Sequence, residues 1–505
     1  MTFKPVLARY LSTMKSEVLL FGVAMLVTAF CGCSPKELKK QVQQAQQVVE
    51  AAKSAMVDQN VYPEWEEKLK GKIAASQEEA SKRTNWHRAN IVGAYKKHGR
   101  RNPKWNKDVS ALMERWIPIV MTPDFSATKG MMELGQSAKE LIDRGCDDPI
   151  VGYIRARYLG FDPGLSKQEL AREWKQVAAR VKDSDYPPVR KFWPYIRAAA
   201  MTAQVRPTEE VAQYYELSLA CVGEMARDPE TPEIELYVVG STWHFAHRNH
   251  VPSNIESWSI VNEQMSTGDE PNLAQNVLKG QVFTDYAWEA RGNDCGHRVS
   301  EQGWKGFHER LSEAEKALVT AWYQRPDDWR APTFMITVEL GQGRGRKRME
   351  KWFNRAMKAE PSNNNAVNSK LYYLEPKWHG SQGEMLKFGR ECLESTNWTG
   401  STTLFIADAH YNIAGFPGNE RAKYYLKPVV WKDVSAAFEK YLKRYPEDHN
   451  RRTRLAKWAV DCNQPEIAGQ ILNELGTNAV KSIFGTDREF EREVAWLKMK
   501  ARTKE

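Results

Sequence analysis

Cysteine is scarce in this 505-residue chain, seven in all. None stands in a Cys-x-x-Cys pair or in a quartet with zinc spacing, which argues against zinc fingers, zinc ribbons and thioredoxin-like redox sites. Convincing runs of alternating apolar and polar residues are also missing, so a sheet protein is a poor reading. The stretch Gly341-Gln342-Gly343-Arg344-Gly345 follows a mostly apolar run, residues 334–340, but Arg346 occupies the third glycine position of a dinucleotide fingerprint, and no phosphate-loop Lys-Ser/Thr follows. A serine nucleophile elbow, a His-Glu-x-x-His helix, a Cys-His signature and a glycosidase-like carboxylate frame are absent. No reaction is specified and no cofactor is expected. Catalytic groups are gathered in space and not in sequence, so an enzyme stays open as the alternative class.

What is present begins with Lys4, Arg9 and Lys15, followed by thirteen apolar or small residues, 18–30, and then Cys31-Gly32-Cys33-Ser34. A helix of that length rises about 20 Å against a hydrocarbon core of about 30 Å, so an export signal is the better reading than a spanning helix. The segment resembles a bacterial lipoprotein signal, with Gly32 before the cleavage point and Cys33 as the lipidated residue; Phe30 and Cys31 stand where the usual residues are Leu and Ala or Ser. The resemblance implies a cell-envelope protein attached to the membrane through lipid at Cys33. Ser34, in place of a retention aspartate, implies the outer membrane, facing the periplasm. Met14 serves equally well as the start, since the residues before it add nothing an export signal needs. With Cys31 removed and Cys33 acylated, Cys146, Cys221, Cys295, Cys392 and Cys462 remain, an odd number at wide spacings, which predicts mostly buried thiols without a disulfide framework.

Residues 36–56 carry no proline or glycine and few large apolar groups, a solvated helical stalk with a thin seam of Val42, Ala45, Val49 and Ala52. Residues 81–107 then hold nine Lys or Arg, His87 and His98, and no acid, in a chain whose 73 basic and 64 acidic residues leave a net charge of +9. This one segment matches the whole excess, so the sequence carries a local basic collar on an otherwise balanced chain. A solvated basic surface is the plain reading. Contact with anionic headgroups or another envelope polyanion is the functional one, with Arg100, Arg101, Lys104 and Lys107 as its candidates. Trp86, Tyr95 and Trp105 interleave with the charges, a pattern that also suits nucleic acid, but an export signal removes that partner.

The rest of the chain reads as helical hairpins. Met349, Trp352, Phe353, Ala356 and Met357 fall at i, i+3, i+4, i+7 and i+8, and Pro361 stops that helix near Glu360. Ser362-Asn363-Asn364-Asn365 is capping chemistry for a helix carrying Val367, Leu371 and Leu374; Pro376 closes it, and Ser381 with Glu384 starts another through Met385, Phe388, Gly389, Cys392 and Leu393. Upstream, Met131, Leu134, Gly135, Ala138, Leu141 and Ile142 share a face, Gly145 occupies a C′ position, and Asp148-Pro149 begins a new helix. Pro187-Pro188 and Pro194 punctuate the middle, and residues 208–225 are periodic again. Downstream, Val434, Ala437, Phe438 and Tyr441 precede Pro446, Leu455, Ala459 and Cys462 form a successor, and Pro465 opens a helix through Leu475. Eighteen tryptophans scattered without a cluster fit wedges between stacked helices.

This alternation resembles a tetratricopeptide repeat: Phe353, Ala356 and Pro361 match the second helix, with Met349 in place of the small residue, and a second copy runs over residues 438–446 with Tyr441 in place of alanine. Residues 281–410, marked by Pro376-Lys377-Trp378-x-Gly380-Ser381, are similar to an uncharacterised bacterial domain-of-unknown-function family built on such repeats, and that resemblance implies a fold and no catalytic residues. The expected layout is a signal and lipid-attachment cysteine over 1–33, stalk and collar over 34–107, N-terminal hairpins over 108–280, a tetratricopeptide-like core over 281–480 and a capping segment over 481–505.

Two constellations are site candidates. Gly343, Arg344, Gly345, Arg346, Lys347 and Arg348 put cations at a helix N-terminus, where the dipole disfavours them and an anion would relieve them. His244 and His247 are neighbours on a helix, but His250 falls round the other side, glutamate is missing, and nothing ties Asp294, Cys295 and His297 to them, so no metal is expected. The expectation is an all-α solenoid with an N-terminal helical stalk. Its work would be non-catalytic: holding a protein or peptide partner on a concave helical surface, with an envelope hydrolase or carbohydrate-active enzyme as the alternative.

Overall fold

The computed structural model describes residues 73–121, 128–160, 164–205, 209–292, 294 and 296–502; the leader with Cys33 and the stalk lie outside the described residues. Every regular element among the described residues is a helix. Helix α1 (Ile73–Arg88) passes through one π turn (Ala89–Gly93) into the short α2 (Ala94–His98), and α3 (Asn106–Met121) packs back against them. Trp86, Tyr95 and Trp105 are buried in one core with Trp116, so the aromatics of the basic stretch serve packing. In the hairpin of α4 (Thr128–Asp143) and α5 (Pro149–Tyr158), Gly145 adopts φ +95°, which a side chain would strain. Asp148 accepts the amides of Ile150 and Val151 ahead of Pro149, the cap that the sequence predicts.

Helix α6 (Lys167–Lys182) opens on a capping box between Ser166 and Glu169. In α7 (Pro188–Ala203) one expectation fails: Pro188 starts the helix, but Pro194 does not break it. Pro194 is buried among Phe192, Tyr195 and Ile196, and the packing of that face outweighs the one missing N–H bond to the turn before. The series continues with α8 (Glu209–Arg227), α9 (Glu233–His247), α10 (Asn254–Met265), α11 (Leu273–Arg291) and α12 (Glu301–Gln324). Helices α11 and α12 approach closely at Gly280, where a Cβ would stand 2.3 Å from Leu318.

Helices α13 (Arg330–Gln342), α14 (Arg346–Ala359), α15 (Asn364–Tyr373) and α16 (Gln382–Glu394) follow. The five apolar residues from Met349 to Met357 are all buried, Asn363 and Ser381 cap the next two helices, and residues 334–340 lie inside α13, which Gly343 ends at φ +63°. The Pro-Lys-Trp-x-Gly-Ser stretch forms the turn between α15 and α16. Gly380 is pressed onto the Leu374 backbone, where a Cβ would lie 2.3 Å from the carbonyl oxygen. Trp378, half-buried, reaches back to Trp288 on α11 with ring centroids 5.4 Å apart, and Arg291 stands 5.7 Å over its ring.

The C-terminal part comprises α17 (Phe405–Ala414), the short α18 (Arg421–Tyr425), α19 (Pro428–Arg444), α20 (His449–Asp461), α21 (Pro465–Leu475) and α22 (Asp487–Arg502). The buried face of α20 is Thr453, Ala456 and Ala459, so Leu455 is only half-buried at its edge. Consecutive helices pack together, and α8 also touches α10, α9 touches α11, α11 touches α13, α13 touches α15 and α17 touches α19. That near-neighbour stacking is an α-solenoid of helical hairpins. Some contacts reach further along the chain: Arg83 Nε and His87 Nε2 of α1 bond Glu235 of α9 at 2.6 and 3.0 Å. No helix among the described residues is long and apolar enough to cross a membrane.

Candidate functional site

The basic stretch divides in two. Arg83 and Arg88 pair with Glu235 and Glu114, and Arg100 pairs with Asp147 at 3.0 Å while its backbone N–H donates to Asp148 at 2.9 Å. Lys96, Lys97, Arg101, Lys104 and Lys107 are exposed and form no ion pair among the described residues. Cys33 lies outside the described residues.

The glycine-arginine loop turns out to be a staple. Arg344 and Arg348 bond Glu315 of α12 at 2.5 and 3.0 Å and also reach Glu339 of α13, which is buried; Arg346 pairs with Glu350 and Glu384. Three of the four cations at the α14 N-terminus are therefore met by the chain's own carboxylates, and no external anion is needed to relieve them. Lys347 is exposed, and Gly343 and Gly345 supply the positive φ of the turn.

His244 and His247 share α9, as their spacing predicts, and His250 stands in the 3-10 turn beyond it. His247 stacks on Trp243 with centroids 4.3 Å apart and meets Ser257 Oγ at 3.3 Å. Burial depresses both histidines to about 4. Asp294 and His297 are exposed, and Cys295 lies outside the described residues. Among the described residues no three ligating side chains are grouped to hold a metal ion.

Side chains converge on open space at the C-terminal end, in a cleft of about 550 Å³ between α17, α18, α20 and the 3-10 turn Lys481–Phe484. Helix α18 contributes Arg421 and Tyr425, one turn apart. Helix α20 contributes Arg454, Lys457, Trp458 and Asp461, at i, i+3, i+4 and i+7, with Tyr411 and Ile483 at the margins. Tyr425 meets Trp458 edge to face at 5.0 Å, and the Arg421 guanidinium lies 4.7 Å over the exposed ring of Tyr411. Lys457 pairs with Asp461 along its own helix, and Arg454 Nε donates to Asn450 at 3.1 Å. Arg421 and Arg454 form no ion pair among the described residues, and Asp461 and Asp408 act on them only at longer range, which leaves the cleft with net positive charge beside aromatic walls. Sequence reading missed this site. Its signal was the polar and aromatic stripe of α20, beside the small buried residues.

Five residues of α18 cannot hold a helix alone. The Tyr424 hydroxyl donates to His410 Nδ1 at 2.9 Å, His410 Nε2 meets Asp433 at 3.1 Å, and Asp433 takes two bonds from Arg390 at 2.8 and 3.1 Å. Asp433 Oδ2 accepts from Arg390, so Nε2 is assigned as its second donor and Nδ1 as the acceptor of the Tyr424 hydroxyl; burial lowers the His410 pKa in spite of Asp433. Tyrosine, histidine and aspartate in this order could activate a nucleophile, but all three side chains are buried. Their effect is to fix α18, and with it Arg421 and Tyr425, against α17 and α19. Comparison with family models and with curated proteins finds no match to this chain.

Proposed function

We propose that this protein is a non-catalytic envelope lipoprotein, tethered by lipid at Cys33, whose helical array binds a segment of another protein. The observation that carries the reading is the cleft between α17, α18 and α20: concave, walled by Tyr425 and Trp458, and rimmed by two arginines that form no ion pair among the described residues. A pre-formed site of this kind, set on stacked hairpins, suits a short stretch of polypeptide. A hydrolase would need an activated nucleophile or a carboxylate pair open to the cleft, and the one carboxylate lining it, Asp461, is engaged by Lys457. Two measurements test the proposal. Labelled palmitate should be incorporated by the natural chain and not by Cys33→Ala. A photocrosslinking side chain at Tyr411 should trap a protein in intact envelopes, whereas one at the remote, exposed Glu216 should not; equal trapping, or none from Tyr411, would overturn the reading.

A further inference from the structure

We infer that the cleft selects an acidic peptide segment, with an Asp or Glu side chain held by Arg421 and Arg454 and an adjoining apolar residue against Tyr425 and Trp458. The inference rests on the peptide-binding reading above and narrows it. Charge comes first. Lys457 is neutralised by Asp461, so the positive charge left in the cleft belongs to Arg421 and Arg454. Guanidinium is the side chain whose planar fork matches a carboxylate, and Arg421 is already oriented by lying 4.7 Å over the Tyr411 ring. Its carrier, α18, is fixed from behind by the Tyr424, His410, Asp433 and Arg390 chain, so little ordering remains to be done on binding.

Ring geometry then decides between ligand classes. A sugar or a nucleobase needs an open ring face on which to stack. Arg421 occupies one face of the Tyr411 ring, Tyr425 is only 6% exposed, and Tyr425 and Trp458 close on each other edge to face at 66°. These rings offer edges and a wall for an aliphatic or aromatic side chain, not a platform. A space of about 550 Å³ lies in the range of sites that take a few residues of peptide.

The test uses the full chain in detergent micelles and three pools of fluorescein-labelled short peptides: acidic with apolar spacers, the same sequences with Asn and Gln replacing Asp and Glu, and a basic counterpart. Fluorescence anisotropy should show binding of the acidic pool, weakening with added salt, and at least about tenfold weaker binding of the other two. Arg421→Gln and Arg454→Gln should each weaken the acidic pool by about tenfold and leave the amide pool unchanged. Both arginines are exposed, so helix content and thermal midpoint should hold; Tyr411→Leu, which keeps the charge but frees the guanidinium, should weaken binding by a smaller factor. Equal binding of the acidic and amide pools, lost in Trp458→Ala, would overturn the acidic selectivity and leave the peptide reading standing. No binding by any pool would overturn both. Undiminished acidic binding in the double arginine variant, or equal binding of a polyuronate, would overturn the inference by showing a polyanion surface elsewhere.

Discussion

His244 and His247 are kept neutral by the core around α9. Both are lowered to about 4, burial being the largest cause, with Arg248 and His250 adding to it. In the unfolded chain a histidine takes up its proton near pH 6.5. Between pH 6.5 and pH 4 the unfolded chain therefore binds protons that the folded chain excludes, and stability falls as pH falls. A tenfold change in proton affinity is about 1.4 kcal/mol, so the buried His244 alone should make the fold less stable by on the order of 3 kcal/mol at pH 4. Urea unfolding at pH 7.5 and pH 5 should show the loss, and His244→Gln should flatten the slope. A midpoint independent of pH over that interval would contradict the assignment.

The helices show how far capping and periodicity reach. Starts at Asp148, Asn363 and Ser381 and the ends at Gly145 and Glu360 were readable because caps and stops act within a few residues of sequence. Phe353 is 1% exposed, and its ring meets Phe388 and Trp398 edge-on, each at 5.5 Å. Phe353→Ala should cost about 3 to 5 kcal/mol, measured by denaturant midpoint. Gly380→Ala should also destabilise, because its Cβ would collide with backbone at Leu374 and not with a side chain that can turn away. Pro194 was misread as a break, since a proline's local penalty can be overridden by packing that is visible only once α6, α7 and α8 are assembled.

The stacked array predicts local opening. Removing the α1 to α9 contact with Glu235→Gln should speed amide exchange in residues 73–93 and leave α14 to α16 unchanged, because those helices pack mainly on their own neighbours. At neutral pH the Glu235 carboxyl is ionised: burial alone would raise it, but the His87 hydrogen bond and Arg83 hold it at about 2. The exposed cations of the collar can be tested against anionic vesicles. Replacing Lys96, Lys97, Arg101, Lys104 and Lys107 by Gln should abolish any salt-sensitive component of binding, whereas Arg100→Gln should change little, since Arg100 is held by Asp147.

The all-helical class and the hairpin rhythm were set by residues three and four apart, so they could be read from order alone. The meaning of the charges could not. Arg344 and Arg348 find Glu315 from 29 and 33 residues away, and the cleft gathers α17, α18, α20 and the turn near Ile483 from across the last hairpins. A charge is relieved by whatever lies within a few ångströms of it, and that distance is decided by helix stacking, not by position in the chain. Stacking therefore turned the glycine-arginine loop from a candidate anion site into a staple, and left Arg421 and Arg454, unremarkable in sequence, as cations that face an open cleft without an ion pair of their own.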